Sequence, residues 1–300
     1  MVLSNFHTHT VLCDGKSTAQ EHIDAALALG FRSLGFSGHG YVPYEGLYCG
    51  MTPDDMRKYR DTVDGLKARY AGRLDIYVGL ENDSVNMFPA DGYDYTIGSV
   101  HCIVRGGRYY SVDSYESITA QAVADEFGGD GLAYAAAYYD AVLEFASVKR
   151  ADILGHIDLV RRFNTAGGVG GSSGGGSSSG GGGSSGGGGS SVGGRFRFFD
   201  DTAPEYRRAA LAALERAVRS GYIIELNTSP ILKGISDENY PANFLLEAAR
   251  DMGARIMVNS DAHFADKLNY AFDKAEALLQ RLGFRERWEL APSGFEPVEI

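Results

Sequence analysis

An α/β fold built as a barrel of parallel strands is what this sequence predicts, and three observations carry the expectation. Short apolar segments alternate with amphipathic ones about seven times along the chain. Polar motifs rich in His, Asp and Glu follow nearly every apolar segment, from the first to the last. Setting aside one Gly/Ser-rich stretch, the remaining length is ordinary for one barrel. A doubly wound sheet gathers its functional groups at one crevice, whereas a barrel collects them from all its strand ends. The spread of the polar motifs therefore favours the barrel.

Val2–Phe6 reads as the first strand, and Thr18–Leu29 as a helix capped by Ser17 or Thr18 and ending near Gly30. Ser33–Ser37 is the second strand. Thr52-Pro-Asp-Asp opens a helix that runs to Tyr70, with proline in the first turn and acids at its positive end. Strands follow at Asp75–Leu80 and Tyr95–Val100, then helices at Ile118–Phe127 and Tyr134–Lys149. A short strand starts at Ile153–Gly155. The last part reads as helix Tyr206–Ser220, strand Ile223–Asn227, helix Ala242–Met252, strand Arg255–Asn259 and helix Leu268–Leu282. Residues 167–194 are a different material, with 17 Gly, 9 Ser and 2 Val. Such a stretch has nothing to bury and is expected to be a flexible insertion within a single domain spanning 1–300.

The formal charge of -11 argues against broad nucleic-acid binding. No stretch approaches the length of a membrane span. Cys13, Cys49 and Cys102 form no CxxC pair, so a disulfide framework is not expected and a reducing compartment is. The first histidine motif begins at His7, which leaves no room for a signal peptide, and the cytoplasm is the expected location.

Six of the seven histidines lie in short polar motifs: FHTHTVLCDG, GFSGHG, GSVHC, DILGHIDLVRR and VNSDAH. GLEND adds a carboxylate to the set. His7 and His9 alternate at a strand end, so both imidazoles point the same way. Small neighbours flank His39. Glu81 ends an apolar strand, where a carboxylate is costly unless paired or metallated, and this makes it a candidate bridging ligand. Asp14, His101, His156, Asp261 and His263 complete the candidate ligand set. Asp83 is a candidate outer partner or cap, and Asp158 is placed to orient the His156 ring. His22 lacks such a context and is expected at the surface. This many N and O ligands suits two or three divalent ions of Zn, Mn or Fe, while magnesium alone would prefer oxygen.

In order along the chain, FHTHTVLCDGKST, SGHG, GLEND, IGSVH, DILGHIDLVRRF, IELNTS and NSDAH resemble the PHP family of metal-dependent phosphoesterases, and within it the histidinol-phosphate phosphatase branch. The resemblance covers essentially the whole chain apart from 167–194. It implies a distorted seven-stranded barrel and a trinuclear site. One ion would be held by His7, His9, Glu81 and Asp261, a second by Glu81, His101 and His156, and a third by Asp14, His39 and His263. It further implies hydrolysis of L-histidinol phosphate in histidine biosynthesis. Aspartate at position 14, where several relatives carry histidine, marks that branch.

Phosphate monoester hydrolysis needs a nucleophilic water, charge neutralisation and help for the leaving group. Asp261 is the candidate for orienting the nucleophile. Arg161 and Arg197 are the candidates for gripping phosphate oxygens through their guanidinium forks, with Arg162 and Arg195 as rivals. Glu45, Asp83 and Asn227 are candidate partners for the rest of a small phosphomonoester. A PHP phosphoesterase for another small phosphate and a noncatalytic metal-stabilised binding protein are the alternatives at this point.

Overall fold

The computed structural model describes residues 1–42, 50–164, 197–234 and 236–300. In chain order it contains β1 (Ser4–Asn5), α1 (Ala19–Ala28), β2 (Ser33–Phe36), α2 (Pro53–Tyr70), β3 (Asp75–Asp83) and β4 (Tyr95–Ser99). A hairpin of β5 (Cys102–Arg105) and β6 (Arg108–Ser111) precedes α3 (Glu116–Phe127) and α4 (Gly131–Ala146). Then come β7 (Ile153–Leu154), a 3₁₀ turn over Leu159–Phe163, α5 (Pro204–Arg219), β8 (Ile223–Asn227), α6 (Ser229–Leu232), α7 (Asn243–Asp251) and β9 (Arg255–Asn259). After a further 3₁₀ turn at Ala265–Lys267, the chain ends with α8 (Phe272–Leu282) and a second hairpin, β10 (Glu286–Ala291) and β11 (Gly294–Glu299).

The seven parallel strands run in the order β1-β2-β3-β4-β7-β8-β9. The ring nearly closes beyond the ends of β1 and β9. There His9 N donates to Ala262 O at 2.9 Å and Ala262 N donates to His7 O at 3.1 Å. The expected barrel is therefore present. Among the described residues, no helix is long and apolar enough to cross a membrane.

Local chemistry accounts for the helix starts. Thr18 caps α1 and shares a reciprocal capping box with Glu21. Thr52 caps α2, with Pro53 in its first turn. Asp130 caps α4. Several strand bounds fall within a residue or two of the expected ones. β3 is an exception: it runs past Leu80 because β4 continues to pair with it, Glu81 against Ile97 and Asp83 against Ser99. Neither hairpin was anticipated, since short two-strand ribbons leave little periodic signal.

Two apolar cores sandwich the barrel wall. The larger lies between strands and helices and includes Leu34, Val78, Leu80, Leu154, Ile224, Leu226 and Val258. The smaller fills one end of the barrel interior with Phe6, Tyr77, Tyr95, Ile97, Ile153, Ile223 and Met257. Leu290, Trp288 and Phe295 of the second hairpin close that end. Period-two alternation then takes each strand from this apolar floor towards polar positions: Tyr77 to Glu81, Tyr95 to Ser99, Ile223 to Glu225, Met257 to Asn259.

Tyr95 spans the floor, and its hydroxyl donates to Phe6 O at 2.6 Å. Its ring fits only because two strand positions lack a Cβ. A Cβ on Gly79 would lie 2.2 Å from the Tyr95 ring, and one on Gly35 would lie 2.4 Å from its hydroxyl. On either side of the Gly/Ser stretch, β7 pairs with β8. Asn164 holds the far flank: its carbonyl accepts from Arg197 N at 2.8 Å, and its side-chain oxygen accepts from Phe198 N and Phe199 N at 3.1 and 3.0 Å. The stretch 167–194 itself, with Glu45, Cys49 and Arg195, lies outside the described residues.

Gly79→Ala is expected to destabilise the protein by about 1–3 kcal/mol through overpacking, read as a lower urea midpoint at constant slope. Adding Tyr95→Leu should recover part of that loss, because the clashing ring is gone. An unchanged midpoint for the single variant would mean that the barrel floor is not tightly packed.

Candidate metal centre

The C-terminal ends of all seven barrel strands deliver side chains to one place. His7 and His9 follow β1, His39 follows β2 and Glu81 lies on β3. His101 follows β4, His156 follows β7, Glu225 and Asn227 lie on β8, and Asp261 and His263 follow β9. Asp14 arrives from the loop after β1.

Glu81 is the centre of this arrangement and is almost fully buried. Its Oε2 faces His7 Nε2 at 3.2 Å, His9 Nε2 at 3.4 Å and His39 Nδ1 at 3.0 Å. Its Oε1 faces His101 Nε2 at 3.3 Å and His156 Nε2 at 3.2 Å. One carboxylate thus presents its two oxygens to two sets of imidazoles, the disposition of a bridging ligand. Ser99 Oγ donates to Oε1 at 2.6 Å and holds the carboxylate in place. Asp261 Oδ1 lies 3.3 Å from His9 Nε2 and 3.7 Å from His7 Nε2. Asp14 contacts His263 Nε2 at 2.9 Å, His9 Nδ1 at 3.3 Å and His39 Nε2 at 3.7 Å.

The nine expected ligands are therefore brought together. Three groups of them can each hold an ion: His9, Asp14, His39 and His263; His7, His9 and Glu81; and His39, Glu81 and His101. The grouping differs from the expected partition: His9 joins Asp14, His39 joins Glu81, the groups share His9, His39 and Glu81, and Asp261 and His156 fall in none of them, although each lies beside a member.

The donor set fits metal ions on an internal test. Buried polar atoms are nearly always hydrogen-bonded. Here His7 Nε2, His9 Nε2 and Glu81 Oε2 are buried with no hydrogen-bond partner among the described residues, yet they converge on one another. A cation between them satisfies all three at once. Electrostatics point the same way. Burial alone would lower the pKa of His7, but Glu225, Glu81 and Asp261 together raise it to about 10. Burial likewise opposes the positive charge on His101, and Glu81 and Asp83 outweigh it, holding that imidazole well above its ordinary value. For Glu81 the burial penalty is overcome by His7, His39 and His101, which keep it well below the usual carboxylate range. The carboxylates thus favour positive charge at His7, His9 and His101, whereas at His39 burial outweighs Glu81 and Asp14 and lowers the pKa to about 4.

Outer carboxylates aim the rings. Glu225, fully buried, accepts from His7 Nδ1 at 2.6 Å, which turns the His7 Nε2 lone pair towards Glu81. The same side chain accepts from His156 N at 2.9 Å, Asn227 Nδ2 at 3.0 Å and Asn259 Nδ2 at 3.0 Å. Sequence reasoning missed this residue, although a carboxylate at an inward position of the apolar strand IIELN was a legible signal. Asp83 accepts from His101 Nδ1 at 2.9 Å, the outer role anticipated for it.

Three expectations need correction. Asp158 does not orient His156; its carboxylate accepts from Arg161 at 3.0 Å and from Ala242 N at 2.8 Å, on the far side of the 3₁₀ turn. His22 is not at the surface. It is fully buried, and its Nε2 lies 3.0 Å from His9 O, so it supports the His-x-His segment from below. Asn227 is not a wall of the cavity, because its side chain is spent on Glu225 and Ser229 N.

Beside the ligands lies a cavity of about 220 Å³, which Asp113, Ser114, Leu159, Arg162 and Lys233 also line. Of the two adjacent arginines, Arg162 is on its wall. Arg161 is turned away and buried, bonded to Asp158 and to Glu238 at 2.9 Å, because the 3₁₀ turn points consecutive side chains in different directions. Arg197 is half-exposed and pairs with Glu116. Lys233 Nζ lies 3.8 Å from Asp261 Oδ2.

Glu225→Gln is expected to weaken metal affinity about 10–100-fold, since His7 loses the acceptor that sets its ring, as measured by competition with a chromogenic chelator. Full retention of affinity would remove the outer role of Glu225. Burial lowers the pKa of His22 from 6.5 to about 4, so the unfolded chain binds the extra proton first as pH falls. The stability that this neutral ring contributes is present above pH 6.5 and is lost as pH falls towards 4. His22→Gln should accordingly show a shallower decline in unfolding free energy than the parent over that window.

Residues 5–229 match the PHP domain. A histidinol-phosphatase of Bacillus subtilis (strain 168) is 25% identical over 299 residues, covering 92% of this chain and 97% of its own. A Deinococcus radiodurans protein described as "Probable histidinol-phosphatase" is 27% identical over 297 residues, 94% of this chain and 95% of its own. In three dimensions, the histidinol phosphate phosphatase of Lactococcus lactis, solved with zinc, L-histidinol and phosphate, superposes with a TM-score of 0.63 at 17% identity, covering 98% of each chain. With its seven-stranded barrel, its ring of strand-end ligands and a match that spans most of its length, the chain belongs to the PHP domain family.

Proposed function

We propose that this protein is a metal-dependent phosphomonoesterase that hydrolyses L-histidinol phosphate to L-histidinol and phosphate, a step of histidine biosynthesis. The observation that carries the reading is the bridging disposition of Glu81, with imidazoles at both of its oxygens and a cavity alongside that Arg162 and Lys233 help to line. A purely structural ion would be enclosed by its ligands, whereas a hydrolytic one needs a face open to substrate. Relatives over nearly the full length are named histidinol-phosphatases, and the Lactococcus structure holds the two products of that reaction with zinc; both support the substrate.

Two or three ions of Zn, Mn or Fe, held by His7, His9, Asp14, His39, Glu81, His101, His156, Asp261 and His263, would neutralise phosphoryl oxygens and lower the pKa of water. The remaining work falls to the chain's own side chains. Arg162 lines the cavity and would offer its guanidinium fork to a phosphate oxygen. Lys233 adds a second positive charge next to Asp261. Asp261 is placed to orient the attacking water, because its carboxylate borders both the His7–His9 pair and the cavity. Arg161 anchors the turn that carries Arg162 through its ion pairs to Asp158 and Glu238.

The test is phosphate release from L-histidinol phosphate and from a panel of sugar, nucleotide and aryl phosphates, after loading with Zn, Mn or Fe and counting bound ions. Preference for L-histidinol phosphate supports the proposal; preference for another ester replaces the substrate, and no turnover with a filled site removes the enzymatic reading. Arg162→Ala is expected to lower kcat/KM by about 10–100-fold with bound metal unchanged, the loss of one charge-assisted phosphate contact.

A further inference from the structure

The cavity contains a carboxylate that the metal groups do not use. Asp14, Glu81 and Asp261, which line it, all contact candidate ligand imidazoles, whereas the Asp113 carboxylate, outside the three ligand groups as Asp261 also is, is held by the Ser111 hydroxyl. It sits on the turn between β6 and α3, within electrostatic reach of His101, His156 and Arg162. Ser111 fixes it there. The Ser111 hydroxyl donates to Asp113 Oδ1 at 2.8 Å and accepts from Asp113 N at 3.3 Å and Ser114 N at 3.0 Å. Burial would raise its pKa, but the neighbouring His101 and Arg162 hold it below the ordinary aspartate value, so it carries a negative charge at neutral pH.

A fixed negative charge in a cavity that receives a phosphate dianion is unfavourable for a simple ester, because like charges repel strongly where water is scarce. It becomes favourable when the alcohol part of the same ester carries a positive charge. Arg162 and Asp113, which line the same cavity and interact electrostatically, would then match a zwitterion, with the guanidinium to phosphate and the carboxylate to ammonium.

We propose that Asp113 is a specificity-determining residue that binds the ammonium group of an aminoalkyl phosphate and disfavours phosphomonoesters of uncharged alcohols. This rests on the reading of the site as a phosphomonoesterase, and it narrows the substrate to esters that bear a cation on the leaving alcohol.

The experiment compares the parent protein with Asp113→Asn on two ester pairs, in the metal-loaded enzyme with bound ions counted. The pairs are ethanolamine phosphate against ethyl phosphate, and L-histidinol phosphate against 4-nitrophenyl phosphate. For both amine-bearing esters the variant should lose about tenfold or more in kcat/KM, chiefly through KM, as expected for a lost charged hydrogen bond. For both esters that lack an amine kcat/KM should rise, since the repulsion with the phosphate is relieved. Equal losses on esters with and without an amine, or no loss on the amine-bearing ones, would overturn the role of Asp113. If the parent prefers ethanolamine phosphate to L-histidinol phosphate while the variant still inverts the amine preference, the assigned substrate fails and the role of Asp113 stands.

Discussion

The structure turns on one buried carboxylate. Glu81 stands at the end of an apolar strand, out of reach of bulk water, with five imidazoles around its two oxygens. Burying that charge is costly unless positive charge accompanies it. The carboxylates around it favour protonation of His7, His9 and His101, and a divalent ion would satisfy several of these donors at once. Everything around the site serves this exchange. Glu225 and Asp83 sit behind the first ring of ligands and determine which nitrogen each ring offers.

The barrel makes the arrangement affordable by separating its two ends. One end is a dry floor of aromatic and aliphatic side chains, sealed by the second hairpin and held together by Tyr95 across Gly35 and Gly79. The other carries nothing but polar groups on the same strands. Alternation along a strand keeps both sets pointing inward, so the floor stiffens the backbone on which the ligands stand. A loosely packed floor would let the strand ends drift, and ligand geometry tolerates little drift.

The cavity beside the ligands has its own division of labour. Two consecutive arginines take opposite parts: Arg161 is buried among Asp158, Glu238 and the carbonyl of Asn239, and Arg162 faces the cavity. The buried one holds the turn, and the turn presents the other. Lys233 and Arg162 would provide positive charge for a phosphate, while Asp113 adds a negative position to the same cavity. That combination of charges is more selective than a uniformly positive pocket, which accepts many anions.

Much of this was legible in the residue order. The alternation of apolar and amphipathic segments specified parallel strands with helical crossovers, since each period belongs to one type of backbone. The candidate ligands could be named because His, Asp and Glu clustered at the ends of apolar strands are costly unless paired or metallated, and Asp14, in a turn, joined them through the family resemblance. Other features depended on distance in space rather than along the chain. Glu225 meets His7 across 218 residues, His22 turns inward to a carbonyl on a neighbouring loop, and Asp158 reaches across the turn to Arg161 and Ala242 rather than to His156. Which of two adjacent arginines faces the cavity depends on the twist of a 3₁₀ turn, and Asp113 joins the candidate ligands only through the cavity they share. The sequence by itself determined the types of element and the ligand chemistry, because both follow from local periodicity and residue type. Tertiary structure alone decided how donors pair and which charges share a cavity, because hydrogen bonds and Coulomb forces act between neighbours in space, whatever their separation along the chain.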